Sequence, residues 1–145
     1  MSPTKRRRKV LRSLDDFYAF CDLDDVVYTD VHVWQPDDEG EPGRANLNAN
    51  FSMTDDDETL VVNIRTYLRT QRWSYQVAVA ALYQAKGPFR VEPSMMGDVI
   101  NQSTVVTAVP FLRAAILDLA TKVRDSPPPV LPLAGPATGR YLILD

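Results

Sequence analysis

The chain has little of several residue types, and each shortage excludes a class of protein. It contains a single cysteine, Cys21, and a single histidine, His32, among 145 residues. One cysteine excludes an internal disulfide, and the two residues together are too few for a structural zinc site within one chain. No apolar run approaches the roughly 18 residues of a membrane-spanning helix, and no secretory signal follows the N-terminus. We therefore expect a cytoplasmic protein without cofactor, metal or membrane insertion.

Basic residues are almost missing from one part of the chain. Residues 13–58 hold 14 acids and one base, Arg44, whereas residues 1–12 hold six bases and no acid. The remainder, residues 59–145, holds nine bases and five acids. A surface of one sign steers partners and keeps an apolar surface soluble, but it does not identify the partner.

The length suits one domain with a sizeable core, since a chain of this size buries roughly 70% of its unfolded surface. The run of bases predicts a disordered basic tail at residues 1–12, and we expect a domain at residues 13–135 and a C-terminal tail at residues 136–145, the last boundary resting on a family resemblance given below.

Alternation of apolar and polar residues predicts a sheet in the first part of this domain. Strands are expected at four segments: Val26–Trp34, Ala45–Met53, Leu60–Thr70 and Trp73–Tyr83. Short polar turns join the last three, which indicates an antiparallel meander with the first strand added to it. Ahead of the strands, Ser13 and Asp16 have the spacing of a helix cap.

The hydrophobic period changes after residue 88, and the new period predicts helices. Met95 and Met96 belong to a first helical pattern, and a second apolar stripe runs along Val109–Arg124. Strands followed by helices predict an α+β domain, in which a four-stranded antiparallel sheet packs against a long C-terminal helix.

Motifs of catalytic sites are missing as well. His32 and Asp30 fall on the same side of the first predicted strand, a geometry that orients an imidazole for base catalysis. No plausible nucleophile accompanies them, because Cys21 is predicted on a helix outside the sheet. The chain also has no glycine-rich phosphate loop and no Gly-x-Ser-x-Gly motif. We therefore expect a protein that is not an enzyme.

Several motifs resemble those of the SecB family of export chaperones. That family follows its meander with a Gly-hydrophobic-Phe step, opens its main helix on Pro-aromatic-x-Arg and leaves it through a proline- and leucine-rich exit. The matching segments here are Gly87-Pro88-Phe89, Pro110-Phe111-Leu112-Arg113 with the closing basic residue Arg124, and Pro128-Pro129-Val130-Leu131-Pro132-Leu133. The first strand is similar too, and the resemblance spans roughly residues 24–135.

The resemblance implies both a fold and a function. SecB-like proteins back a four-stranded sheet with a long helix, usually assemble as a dimer of dimers, and hold unfolded polypeptide in an apolar groove without nucleotide. Such a groove needs exposed apolar surface with adaptable side chains. The residues expected to line it are Trp34, Trp73, Tyr75, Phe89, Met95 and Met96. Each of them also fits an ordinary core or subunit-interface position.

The chain departs from the export chaperones at the acidic surface that docks the export motor SecA. Asp30 matches one docking position, but the other two fall on Trp34 and near Leu82, which are apolar. This disfavours SecA docking, and a role in protein export stays open. The Ala80-Ala81-Leu82-Tyr83 run resembles divergent, actinobacterial or mobile-element members, some of which guard an antitoxin.

Three functions stay open at this point. The first is an ATP-independent holdase, and the second is a dedicated partner-binding protein, for an antitoxin of a toxin–antitoxin system or for phage assembly. The third is a nucleic-acid contact through Lys5–Lys9, since clustered Lys and Arg release counterions from phosphates. Because no aromatic residues interleave this basic run, a solvated tail is the preferred interpretation and nucleic acid the less favoured partner.

Overall fold

The computed structural model describes residues 7–37, 43–131 and 142–144, and its largest element is a sheet built from the alternating segments. In chain order the strands are β1 (Lys9–Leu11), β2 (Cys21–Trp34), β3 (Gly43–Met53), β4 (Thr59–Arg69), β5 (Ser74–Ala85), β6 (Phe89–Val91) and β7 (Leu142–Leu144). The large sheet has the order β2-β5-β4-β3-β7, with the four long strands antiparallel and β7 parallel to β3. The predicted four-stranded antiparallel sheet is confirmed.

The two-residue period gives this sheet one apolar face. On β4 the buried apolar residues are Leu60, Val62, Ile64 and Leu68, and they alternate with half-buried or exposed residues. The first strand, β2, begins at Cys21, five residues earlier than predicted, and carries two irregularities in its pairing with β5. Pairing with β5 extends it, because a long partner strand satisfies its backbone even where acids interrupt the apolar pattern.

A continuous helical run covers the apolar face. Its pieces are a 3₁₀ turn (Pro93–Met95), α2 (Met96–Val99), a π-helical turn (Ile100–Thr104) and α3 (Val105–Val123). Helix α3 packs mainly on β5 and also on β2 and β4. The long C-terminal helix is confirmed, but it begins well before the predicted Val109. It continues through Pro110 because Val105, Ala108 and Leu112 extend the buried stripe on both sides of the proline.

Tyr83 of β5 links the sheet to the π-helical turn. Its hydroxyl lies 2.8 Å from Ser103 Oγ and 2.9 Å from Thr104 Oγ1. Burial raises the pKa of Tyr83. The contact holds the wide turn against the middle of the core, where both Tyr83 and Thr104 are almost fully buried.

The capped helix predicted at Ser13 is present as α1 (Leu14–Phe20). The Ser13 hydroxyl oxygen accepts a hydrogen bond from the Asp16 backbone N–H at 3.1 Å, and this satisfies one of the free donors of the first turn. Phe17 on the inner side of α1 is fully buried. The cap and the buried ring together fix α1 at the edge of the core.

The structure differs from the predicted disordered tail at residues 9–11. These residues form β1, which pairs in parallel with β6, and Leu11 is 0% exposed. Arg8 Nε also contacts Asp57 Oδ2 at 2.8 Å. The basic residues around Leu11 predict disorder. Removing the Leu11 side chain from water is favourable enough to hold these residues in a strand. Residues 1–6, with Lys5 and Arg6, lie outside the described residues, as does the C-terminal tail apart from β7.

Candidate functional site

Helix α3 exposes an apolar face opposite the one that packs on the sheet. The outward residues are Val106, Pro110, Phe111, Ala114 and Leu117. Val106 is 59% exposed and Leu117 is 53% exposed. Charged residues meet this face at the half-buried Arg113 on its border and at its C-terminal end, where Lys122 and Asp118 pair at 2.9 Å. An apolar helix face is normally buried, so this face needs a cover.

The composition of the whole helical run leads to the same conclusion. By length and composition alone, Pro93–Val123 would suffice to cross a bilayer, and 50% of its most apolar window is buried inside the protein. The core helix of a soluble protein passes the same test, and the rest of that window is half-buried or exposed.

Strand β2 continues the apolar face of α3. Tyr28 and Val31 are 45% and 47% exposed. The Tyr28 hydroxyl donates to the Phe111 carbonyl oxygen at 2.8 Å, and the two rings meet edge to face with centroids 6.1 Å apart. A shallow cavity of about 320 Å³ lies between the strand and the helix, lined by Tyr28, Val31, Ala114, Ala115 and Asp118. We call Tyr28, Val31, Phe111, Ala114 and Leu117 the β2–α3 surface.

The β2–α3 surface borders an edge of the sheet. Among the strands of the described part of the chain, β2 is terminal in the sheet order. An edge strand presents unpaired backbone groups that template a further strand. Apolar side chains beside a backbone edge suit an extended polypeptide or a second copy of the chain.

Four of the six residues predicted to line the groove lie in the core of this chain. Tyr75 and Phe89 are 0% exposed, and Met95 and Met96 are 6% and 3% exposed. The Tyr75 hydroxyl donates to Asp125 Oδ2 at 2.7 Å, and burial raises the pKa of Tyr75. None of the four belongs to the β2–α3 surface, and their contact with a client stays a prediction.

The two tryptophans predicted for the groove are half-buried and lie apart from the β2–α3 surface. Trp73 stands at the turn between β4 and β5, where its backbone carbonyl accepts from the Thr70 N–H at 2.8 Å. Trp34 ends β2, with its ring 4.7 Å from that of His32 and 5.9 Å from that of Tyr67. Their contact with a client also stays a prediction.

The outer face of the sheet is rich in amides rather than acids. The carboxylate of Asp30, the predicted docking acid, accepts from Gln76 Nε2 at 2.6 Å. A cavity of about 350 Å³ beside it is lined by Thr29, Asp30, Asn48, Asn50, Asn63, Arg65 and Ala78. A docking role for Asp30 stays a prediction. In this structure its carboxylate is bonded to Gln76 of the neighbouring strand β5.

The catalytic arrangement considered from the sequence gains no support. His32 stacks on Trp34, and Asp30 bonds to Gln76. Cys21 is 5% exposed, and burial raises the pKa of its thiol to about 12, so little of it is the reactive thiolate at neutral pH. In the ranges that the structure describes, no three His, Cys, Asp or Glu side chains are grouped as a metal site requires.

The residues of the helix motif hold the fold together. Arg113 Nε donates to the Leu131 carbonyl oxygen at 2.7 Å, which fastens the proline-rich exit to α3. Arg124 adopts a left-handed conformation with φ of 56°, and the Asp125 N–H then donates to the Ala120 carbonyl oxygen at 2.9 Å. This is the hydrogen-bond pattern of a helix C-terminus. Pro132 and Leu133, at the end of the motif, lie outside the described residues.

No protein-family profile and no curated protein matches the chain. Among solved structures, it is similar to the Mycobacterium tuberculosis Rv1957 SecB-like chaperone, solved in complex with a ChAD peptide from the Rv1956 HigA1 antitoxin. The TM-score is 0.63 at 16% sequence identity, and the match covers 83% of this chain and 92% of that chain. The chain has a SecB-like fold. The resemblance seen in the sequence is therefore confirmed as a likeness of fold to a divergent SecB-like protein.

Sequence reasoning did not assign the β2–α3 surface of this SecB-like chain to function. Its signal was present: Val106 and Leu117 are apolar residues that lie off the buried stripe of α3. The groove was instead predicted at aromatic and methionine side chains, and four of those six side chains lie in the core.

Proposed function

We propose that this SecB-like chain binds unfolded or partly folded polypeptide in the cytoplasm without ATP and without chemical catalysis. The β2–α3 surface carries the proposal, because it is an exposed apolar surface beside an open sheet edge. Apolar segments of a client would be withdrawn from water there, at about 25 cal/mol for each Å² of apolar area buried. The acidic character of residues 13–58 would keep such a surface soluble.

Self-assembly belongs to the same proposal. Leu117 and Val106 are more than half exposed on the outward face of α3, next to the exposed Phe111, and such a group of exposed apolar residues is unusual for a monomer. In an isologous contact each copy covers the same patch on the other, so one apolar helix face suffices for two chains. We propose that copies of the chain cover part of this face and leave the remainder to the client.

A second candidate is a dedicated protein for one partner rather than a generic holdase. The solved SecB-like neighbour was captured with a peptide of an antitoxin, and this favours an antitoxin segment as partner. Two positions at which the export chaperones carry docking acids fall on the apolar Trp34 and near the half-buried Leu82, which disfavours docking to SecA.

The test uses purified full-length chain and a chemically denatured client, with light scattering followed in the absence of nucleotide. We expect suppression of aggregation, reduced by Leu117→Asp. Val130→Asp is the matched control, because Val130 is 76% exposed and lies outside the β2–α3 surface. No suppression at several-fold excess and no capture of any polypeptide would exclude the proposal. Protection of many unrelated clients indicates the holdase, and binding of one antitoxin peptide alone indicates the dedicated protein.

A further inference from the structure

The far edge of the sheet, opposite β2, is occupied by the chain itself. Strand β7 pairs in parallel with the middle of β3, with Leu142, Ile143 and Leu144 opposite Asn48, Ala49 and Asn50. The residues that connect β7 to Leu131 number ten, at positions 132–141. An apolar tripeptide from the C-terminal end of the chain therefore adds a strand to the edge of β3 that faces away from β4.

This added strand covers only part of the edge. Strand β3 has 11 residues and β7 has three. In the described part of the chain, no other strand pairs with that edge of β3. Each backbone hydrogen bond contributes only about 0.5–1.5 kcal/mol net, so a three-residue strand is held weakly. The remaining backbone groups of β3 are a template for a longer strand.

The side chains of β3 favour an apolar occupant. Leu47, Phe51 and Met53 are partly buried and pack against the core, while Ala49 between them is 2% exposed. Helix α3 packs mainly on β5, so β3 lies at the border of the helical layer. An added strand with apolar residues would cover the partly buried side chains of β3 that α3 does not cover.

We propose that the outer edge of β3 is a strand-addition site for an extended apolar segment of a bound polypeptide, and that β7 occupies it as an intramolecular competitor. The main-chain hydrogen bonds would supply affinity, and apolar side chains at alternate positions would supply preference. The choice of a polypeptide as partner rests on the proposed function. The site itself is separate from the β2–α3 surface, at the opposite end of the sheet.

Competition follows from the covalent connection. A segment tethered by a short linker acts at an effective concentration of roughly millimolar. A weak cis strand can therefore exclude a moderately strong strand added in trans. Weakening β7 should raise the affinity of the edge for a free strand without any change in β3.

The experiment measures binding of a fluorescein-labelled peptide with the sequence of residues 139–145, Gly-Arg-Tyr-Leu-Ile-Leu-Asp. The proteins are the full-length chain, Ile143→Lys and the control Val130→Lys, which adds the same charge at an exposed site. Fluorescence anisotropy should show binding about tenfold tighter to Ile143→Lys than to the other two. Ile143→Gly, which weakens a strand without adding charge, should fall between them.

Hydrogen exchange locates the residues at which the peptide binds. Amides within residues 48–50, which face β7, should exchange faster in Ile143→Lys and should be protected again by the peptide, with β2 unchanged. Equal affinity in all four proteins, or protection away from β3, would overturn the proposal. Aggregation suppression is measured separately. If the peptide binds at β3 but the protein does not suppress aggregation, the chaperone role alone is contradicted. If the protein suppresses aggregation but the β7 variants bind no peptide, strand addition alone is contradicted.

Discussion

The Nε–H of Arg113 donates to the carbonyl oxygen of Leu131, and this hydrogen bond of 2.7 Å joins the middle of α3 to the segment that follows the helix. Leu131 is 2% exposed, so the carbonyl has little access to water as a substitute. The preceding prolines, Pro127–Pro129, have no N–H with which to fasten the segment themselves. The arginine of the helix motif therefore serves the fold.

Replacing Arg113 by Met should lower the free energy of unfolding by about 1–3 kcal/mol, because the Leu131 carbonyl would remain buried without a donor. Urea unfolding followed by tryptophan fluorescence measures the change. Arg90→Met is the control, since Arg90 is exposed on the three-residue strand β6. Equal midpoints for the two variants would show that the contact contributes nothing.

Tyr75 and Asp125 should be strongly coupled. Asp125 Oδ2 accepts from the Tyr75 hydroxyl at 2.7 Å and from the Thr70 hydroxyl at 2.8 Å, directly after the end of α3. Tyr75→Phe should cost about 1.5–3 kcal/mol, the range for hydrogen bonds to a charged group. A double-mutant cycle with Asp125→Ala isolates the pair. Additive single effects would contradict the coupling.

The stability of the protein should fall as the solution becomes alkaline, in part through Cys21. Burial raises the pKa of this thiol from 9.0 to about 12 in the folded state. Below pH 9 both states keep the proton and the thiol has no effect. Between about pH 9 and 12 the unfolded state releases its proton first, so unfolding becomes more favourable.

Urea midpoints measured between about pH 8 and pH 11 provide the test. Cys21→Ala should show a shallower decline than the unsubstituted chain, whatever its stability at neutral pH. The buried Tyr75, whose pKa is also raised, contributes equally to both proteins, whereas the raised pKa of Tyr83 owes a minor part to the charge of Cys21 and belongs to the same comparison. Parallel curves for the two proteins would assign the whole decline to other groups.

Self-association should depend on the outward face of α3. One chain has a mass of 16.3 kDa, and light scattering should give a mass of two or more chains. Leu117→Asp should shift the mass toward a single chain, because a carboxylate would have to be buried in the contact. Arg65→Asp, on the amide-rich outer face of the sheet, should leave the mass unchanged. A single-chain mass without any substitution would exclude assembly through this face.

The sequence predicted those parts of the fold that local physics determines. β-Forming residues located the first of the four long strands and alternation the other three, and the Ser13 cap located α1, because these signals are contained within a few residues. The start of the long helix was missed, since Pro110 is read locally as a boundary while burial of Val105 and Leu112 carries the helix through it. Strand β1 was missed because its partner, β6, lies about 80 residues away in the chain.

The candidate site was harder to predict than the fold. Whether Leu117 is buried or exposed depends on which face of α3 meets the sheet, and this follows from tertiary packing rather than from residue type. Tyr75 and Phe89 are typical of binding grooves and of cores alike, and here they lie in the core.

The pairing of β1 with β6 bears on how the N-terminus can be altered. A truncation placed after residue 12, where the run of bases ends, would remove Leu11 from the core and leave Phe89 without its neighbouring strand. Loss of activity in such a truncated protein would then report unfolding rather than a lost electrostatic contact. A deletion that stops before Arg8 removes three of the six bases of residues 1–12, namely Lys5, Arg6 and Arg7, and keeps the strand. An N-terminal expression tag should likewise be joined before Arg8, so that β1 keeps its pairing with β6.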